Sequence, residues 1–173
     1  MMSKINAGLM SSDRPDWNTP PEVLARVYRL GPVELDPCSN HNSIVSAGSH
    51  LYAPPEGKDG LKEEWLDYSE GGIVYVNHPY GREIVAWVEK CFHEAENGNE
   101  IVALVPARTD AKWWQTWATT ADRILFWAGR LRFLGAPSSA PFPSAILYWG
   151  ERAKAFDRAF DGCGWFVAGR ATA

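Results

Sequence analysis

Residues Gly71 to Gly81 read GGIVYVNHPYG. The run Ile73 to Val76 predicts a short buried strand, because β-branched and aromatic residues suit a pleated sheet and an unbroken apolar run leaves no face for solvent. The chain leaves that strand through an amide, an imidazole, a proline and a phenol. Asn77 and Pro79 are ordinary turn residues, but a turn does not need His78 or Tyr80. Outward from this stretch, Arg82 to Asn97 carries Ile84, Val85, Val88, Cys91, Phe92 and Ala95 at helical spacing and closes on Asn97-Gly98. Further strands are predicted at Val33 to Asp36, Ile101 to Val105, Arg123 to Trp127, Leu131 to Phe133, Ala145 to Trp149 and Trp165 to Val167. Further helices are predicted from Thr19 to about Leu30, from Asp110 to Thr119 and from Glu151 to Phe160. The first starts on Thr19-Pro20-Pro21-Glu22, where Thr19 suits a cap, Pro20 the first helical position and Glu22 the third place of a capping box; it stops at Gly31-Pro32.

Strands alternating with helices predict an α/β fold with a mostly parallel sheet and helices on both faces. Ligands in such sheets sit at the carboxyl ends of the strands. Asp36, Asn77 to Tyr80, and Pro106-Ala107-Arg108 all fall at predicted strand ends, and that convergence points to a site.

The length of 173 residues suits one domain, read as residues 16–173 behind a loose arm at 1–15. No apolar run approaches the roughly 20 residues of a membrane span, and the first dozen residues lack the pattern of a signal peptide. Three widely spaced cysteines argue for a reducing, cytoplasmic setting rather than a disulfide framework. Cys38, His41 and His50 lack a fourth ligand and paired metal spacing, so no metal is expected. The formal net charge of −4 is unevenly placed. Residues 1–100 hold 8 Lys+Arg against 16 Asp+Glu, whereas residues 101–173 hold 9 against 5. Arg108, Lys112, Arg123, Arg130 and Arg132 cluster in the positive part, and a local basic face governs phosphate contact more than the global sum. Trp113, Trp114 and Trp117 on one short helix are read as packing residues.

Asn-x-Pro-Tyr at a strand end suits chemistry on an exocyclic amine. The amino nitrogen of adenine is a poor nucleophile because its lone pair is delocalised into the ring. Two acceptors holding its N–H groups draw the nitrogen toward tetrahedral geometry and free the lone pair. Asn77 offers a side-chain carbonyl, and the backbone carbonyl of His78 is a second acceptor whose direction Pro79 helps to fix. Tyr80 offers a ring on which a base taken out of the helix can stack.

These residues resemble the (Asp/Asn)-Pro-Pro-Tyr signature of amino-group DNA methyltransferases. The chain as a whole resembles the small phage-type DNA adenine-N6 methyltransferase family. The resemblance runs from Asp16-Trp17-Asn18-Thr19-Pro20 through Leu35-Asp36-Pro37-Cys38-Ser39, Asp59-Gly60-Leu61 with Trp65, and Asn77 to Tyr80. It continues to Val105-Pro106-Ala107-Arg108 with Trp113-Trp114 and to Gly129-Arg130-Leu131-Arg132-Phe133. His78 stands where the family usually has Pro, and Ser39-Asn40-His41-Asn42 stands where many methyltransferases carry a Gly-rich loop.

The resemblance implies a Rossmann-like fold, S-adenosylmethionine as methyl donor, and DNA as partner, double-stranded with a flipped adenine, in a bacterial host cytoplasm. It implies that Trp17, Asn18, Thr19, Pro20, Asp36 and Cys38 lie at the donor, with Asp59 and Leu61 near its adenine. Asn77, His78, Pro79 and Tyr80 form the catalytic group. Arg108, Lys112, Arg130 and Arg132 are the expected DNA contacts. With no separate target-recognition domain, sequence reading falls to loops such as 130–143. Cytosine N4 presents the same amine chemistry, and a noncatalytic nucleic-acid-binding protein on the same fold is the alternative from another class.

Overall fold

The computed structural model describes residues 17–169, so the expected arm at 1–15 and Asp16 lie outside the described residues. Helix α1 (Pro21–Leu30) leads into strand β1 (Val33–Ser39), and β2 (Ala47–Tyr52) follows without an intervening helix. A short α2 (Leu66–Ser69) precedes β3 (Ile73–Val76), α3 (Ile84–Glu96), β4 (Glu100–Pro106) and α4 (Lys112–Thr116). Then come β5 (Arg123–Trp127), β6 (Ser144–Trp149), α5 (Ala153–Ala159) and β7 (Gly164–Val167).

One seven-stranded sheet runs β2-β1-β3-β4-β6-β5-β7. Strands β2, β1, β3 and β4 pair in parallel, while β6 is antiparallel to both β4 and β5, and β7 is antiparallel to β5. The expected mostly parallel sheet therefore holds for one half only. The cause lies in one connection: the chain returns from β5 to β6 without a helix, and β6 enters the sheet between β4 and β5, antiparallel to both. The mixed α/β architecture is consistent with a methyltransferase fold.

Alternation along the central strands builds two cores. Tyr75, Val102, Leu104, Ile146 and Tyr148 face Val23, Leu24 and Val27 of α1 and Phe156 of α5. Val74, Val76, Ile101, Ala103, Val105 and Leu147 face Trp87, Val88 and Cys91 of α3 and Trp113 and Trp114 of α4. Helices thus cover both faces, and Trp113 and Trp114 are core residues, as their apolar spacing predicts.

Four expectations change. Helix α1 begins one residue late, with Pro20 at the cap and Pro21 first; Thr19 makes no cap bond because its hydroxyl is engaged by Tyr75 and Asn77. Asp36 does not end its strand: β1 continues through Pro37 and Cys38 to Ser39, with a break in pairing register after Asp36. Val85 is exposed, and the buried stripe of α3 is Ile84, Trp87, Val88 and Cys91. Leu131 to Phe133 is not a strand. Both edges of β6 are already taken by β4 and β5, so the segment finds only an isolated bridge between Leu134 and Asn18. Its alternation instead plugs Leu131 and Phe133 into the α1 core and leaves Arg132 outside.

Candidate active site

Asn77 follows the last residue of β3, at the carboxyl edge of the sheet. Its amide nitrogen donates to the Trp17 carbonyl at 2.6 Å and to the Thr19 hydroxyl at 3.0 Å. A carbonyl accepts only, so the NH2 end must face Trp17, and the amide has one orientation. Thr19 is fixed in turn by a 2.9 Å hydrogen bond with the hydroxyl of Tyr75, a fully buried phenol whose pKa desolvation drives upward. The Asn77 carbonyl oxygen is buried with no partner among the described residues.

A cavity of about 400 Å³ opens beside it, within the range of small-molecule sites. Its wall includes Trp17, Cys38, Ser39, Asn40, Asp59, Gly60, Leu61, Asn77, His78, Pro79 and Trp87. The carboxyl ends of β1, β2 and β3 meet there. Gly60 packs its Cα against the Pro37 carbonyl, where a Cβ would come within 2.0 Å of the oxygen, so only glycine permits this closure of the wall. A second cleft of about 500 Å³ lies at the opposite end of the strands, lined by Glu96, Glu100, Asp122, Glu151 and Arg152. It contains none of the expected catalytic, donor or DNA-contact residues.

Polar bookkeeping separates the two clefts. Buried side-chain atoms without a hydrogen-bond partner among the described residues are Trp17 Nε1, Asn77 Oδ1, His78 Nε2, Trp87 Nε1 and Ser144 Oγ. The first four belong to residues lining the 400 Å³ cavity. Native interiors pair nearly all buried polar groups, so this concentration distinguishes the 400 Å³ cavity as the candidate site.

The expected residues divide into lining and supporting groups. Trp17, Cys38, Asp59, Leu61, Asn77, His78 and Pro79 line the cavity. Asn18 accepts from the Asn40 amide at 2.8 Å and Thr19 holds Asn77, so both act one step back. Pro20 starts α1. Asp36 is buried; its carboxylate accepts from the Cys38 amide at 3.3 Å and lies 3.8 Å from His50, whose pKa that carboxylate raises. Asp36 supports the cavity wall through Cys38. Burial and the Asp36 charge hold the Cys38 thiol protonated. Asp59 caps its own turn, accepting from the Leu61 amide at 3.1 Å and pairing with Lys62 at 3.2 Å.

Tyr80 is buried, its ring meeting Phe133, Phe142 and His78 edge-on with centroids 5.8, 5.4 and 5.4 Å away. Its hydroxyl donates to the Leu104 carbonyl at 3.4 Å. Trp17 joins the same aromatic group through Phe133 and Phe142. Arg108 and Lys112 follow β4, and Arg130 and Arg132 follow β5, a strand that runs in the same direction, so all four emerge at the carboxyl edge. None of the four takes part in an ion pair among the described residues, whereas Arg123 pairs with Asp157. Sequence reasoning missed Asn40 and Trp87. Trp87 was detectable, since it completes the spacing from Ile84 to Cys91 on α3; Asn40 was marked only by its place in the Ser39 to Asn42 stretch that follows β1.

A family model described as DNA N-6-adenine-methyltransferase (Dam) matches residues 6–145. No curated protein and no solved structure matches the chain.

Proposed function

Since the chain belongs to the DNA N-6-adenine-methyltransferase (Dam) family, we propose that it methylates adenine in DNA at the carboxyl edge of its sheet, with Asn77 as the acceptor that activates the amine. The observation carrying this reading is the fixed Asn77 amide, whose NH2 end is engaged while its buried carbonyl oxygen has no partner. An acceptor oriented in advance costs no reorganisation when the amine develops positive charge, and such preorganisation is a large contributor to catalysis. The His78 backbone carbonyl is the second acceptor of the proposal.

The donor proposed for the adjoining cavity is S-adenosylmethionine, which supplies an electrophilic methyl group on a sulfonium. The cavity volume and the unpartnered polar atoms around it fit a nucleoside-sized polar ligand. Cys38, Asn40, Asp59, Leu61 and Trp87 are the residues that would hold it, with Trp17 at the junction with Asn77. Tyr80 is proposed to stack on the target base. Its burial against Phe142 means that the 134–143 segment must move aside for a base to enter. Arg108, Lys112, Arg130 and Arg132 are proposed to meet the phosphates.

Asn77→Ala tests the reading. Methyl transfer to DNA should fall on the order of a hundredfold or more, the cost of one preorganised transition-state contact, while donor affinity measured by calorimetry stays near the wild-type value. Methylation within threefold of wild type would remove Asn77 from the mechanism.

A further inference from the structure

We propose that His78 binds the methyl donor through its imidazole, Nε2 accepting a hydrogen bond from the neutral nucleoside half of that molecule. The inference rests on the reading of the 400 Å³ cavity as the donor site. It concerns the position at which this chain replaces the proline of the signature it resembles, and so a contact that a proline there does not make.

The tautomer comes first. His78 is 1% exposed, and its Nδ1 lies 2.9 Å from the Pro79 carbonyl oxygen. That oxygen only accepts, so Nδ1 carries the proton and Nε2 keeps its lone pair. Nε2 is buried without a partner, in a residue that lines the cavity. Desolvation lowers the ring's pKa to about 4, so near neutral pH no second proton occupies that lone pair. The side chains packed on the ring, Tyr80 and Trp87, carry no charge there either.

Trp87 supplies the complementary half. Its indole N–H is also buried without a partner and its ring lines the same cavity. The two rings lie 14° from parallel with centroids 6.4 Å apart. A ring nitrogen's lone pair and an indole N–H both project in the ring plane, so two stacked rings cannot satisfy one another. The wall therefore offers one acceptor and one donor side by side. An adenine amino group beside a ring nitrogen, or a ribose hydroxyl, is itself a donor with an acceptor and matches the pair. The ammonium and carboxylate of the amino-acid half do not match this pair, because His78 and Trp87 offer no counter-charge for their desolvation, whereas the carboxylates of Asp59 and Glu83 lie elsewhere in the lining. Nε2 is shielded from solvent, so the proposed contact requires the wall over it to part while the Nδ1 bond to Pro79 holds the ring in place.

Calorimetry with three probes tests this: S-adenosylhomocysteine, 5′-methylthioadenosine as the nucleoside half, and methionine as the other half. His78→Phe keeps an aromatic ring against Trp87 and removes the acceptor. Losing one hydrogen bond should weaken S-adenosylhomocysteine and 5′-methylthioadenosine roughly tenfold, with methionine unaffected. A loss of threefold or more confined to the two nucleosides supports the proposal, and a smaller loss, or one shared by methionine, overturns it. If wild-type protein binds none of the probes, the donor-site reading fails and the proposal with it; if wild type binds and the variant binds equally, only the proposal fails. Should His78→Phe not fold, imidazole 15N spectra of wild-type protein decide. The His78 Nε2 resonance should move upfield when S-adenosylhomocysteine is added, and an unmoved resonance overturns the proposal.

Discussion

Asn77 is directional because one end of its amide is already occupied. Trp17 and Thr19 take both N–H groups, leaving a carbonyl with a single aim. The amide itself was legible in the sequence, since Asn and Pro after an apolar run mark a strand exit, and Tyr80, directly after Pro79, turned the exit into a motif. Its support was not legible, because hydrogen bonds reaching 58 and 60 residues along the chain leave no periodic trace. The neighbouring His78 makes a different prediction. Its folded pKa is depressed to about 4 while an unfolded histidine titrates at 6.5, so in that window the unfolded chain binds the extra proton. Stability associated with the neutral buried ring is present above pH 6.5 and is lost as pH falls toward 4. Between pH 7 and 5 the wild type should lose about 2 kcal/mol more than His78→Gln in urea unfolding, since each pKa unit corresponds to about 1.4 kcal/mol. The raised pKa of His50 acts in the opposite direction but is common to both proteins and cancels in the difference. Parallel stability curves across that range would show that the ring is charged or hydrated in the folded protein.

The segment between β5 and β6 carries the exposed Arg130 and Arg132 and the buried Leu131 and Phe133. Its backbone is anchored where the Leu134 amide donates to the Asn18 carbonyl at 2.9 Å, and where the Ala140 amide donates to the Leu131 carbonyl at 2.8 Å. Alternation in this segment reads as a strand from sequence, because period-2 burial is shared by strands and by extended plugs; the occupied edges of β6 decide between them. The opposite error occurs at β2. Ala47-Gly48-Ser49 has little strand propensity, yet the segment pairs with β1 because that edge is open to it. Charge-reversing Arg130 and Arg132 should reduce the dependence of DNA affinity on salt, since each lost phosphate contact removes about one released counterion from the slope. An unchanged slope in fluorescence anisotropy titrations from low to moderate salt would place these arginines away from the duplex.

Across the whole molecule the sheet keeps two cores apart, and the site occupies one edge common to both. Phe156 lies far back in the α1 and α5 layer, fully buried, its ring centroid 4.8 Å from Tyr148 and 4.6 Å from Phe160. Phe156→Ala should cost roughly 3–5 kcal/mol of stability, while the folded fraction keeps its donor affinity. A loss below 1 kcal/mol in denaturant unfolding would mean that the layer collapses around the gap. The α/β class and both faces of helices were legible from alternating periodicities, whereas the antiparallel half was not, because strand direction depends on which edges remain free. The same long reach that holds the Asn77 amide also sets an order in time. Trp17 and Thr19 leave a ribosome before Asn77 and must wait for it, and the clasp between Asn18 and Leu134 closes later still. Contacts between such distant segments slow folding. A nascent chain that has passed Asn77 but not Leu134 can close the first of these contacts and not the second, so the supports of the site form in a fixed order.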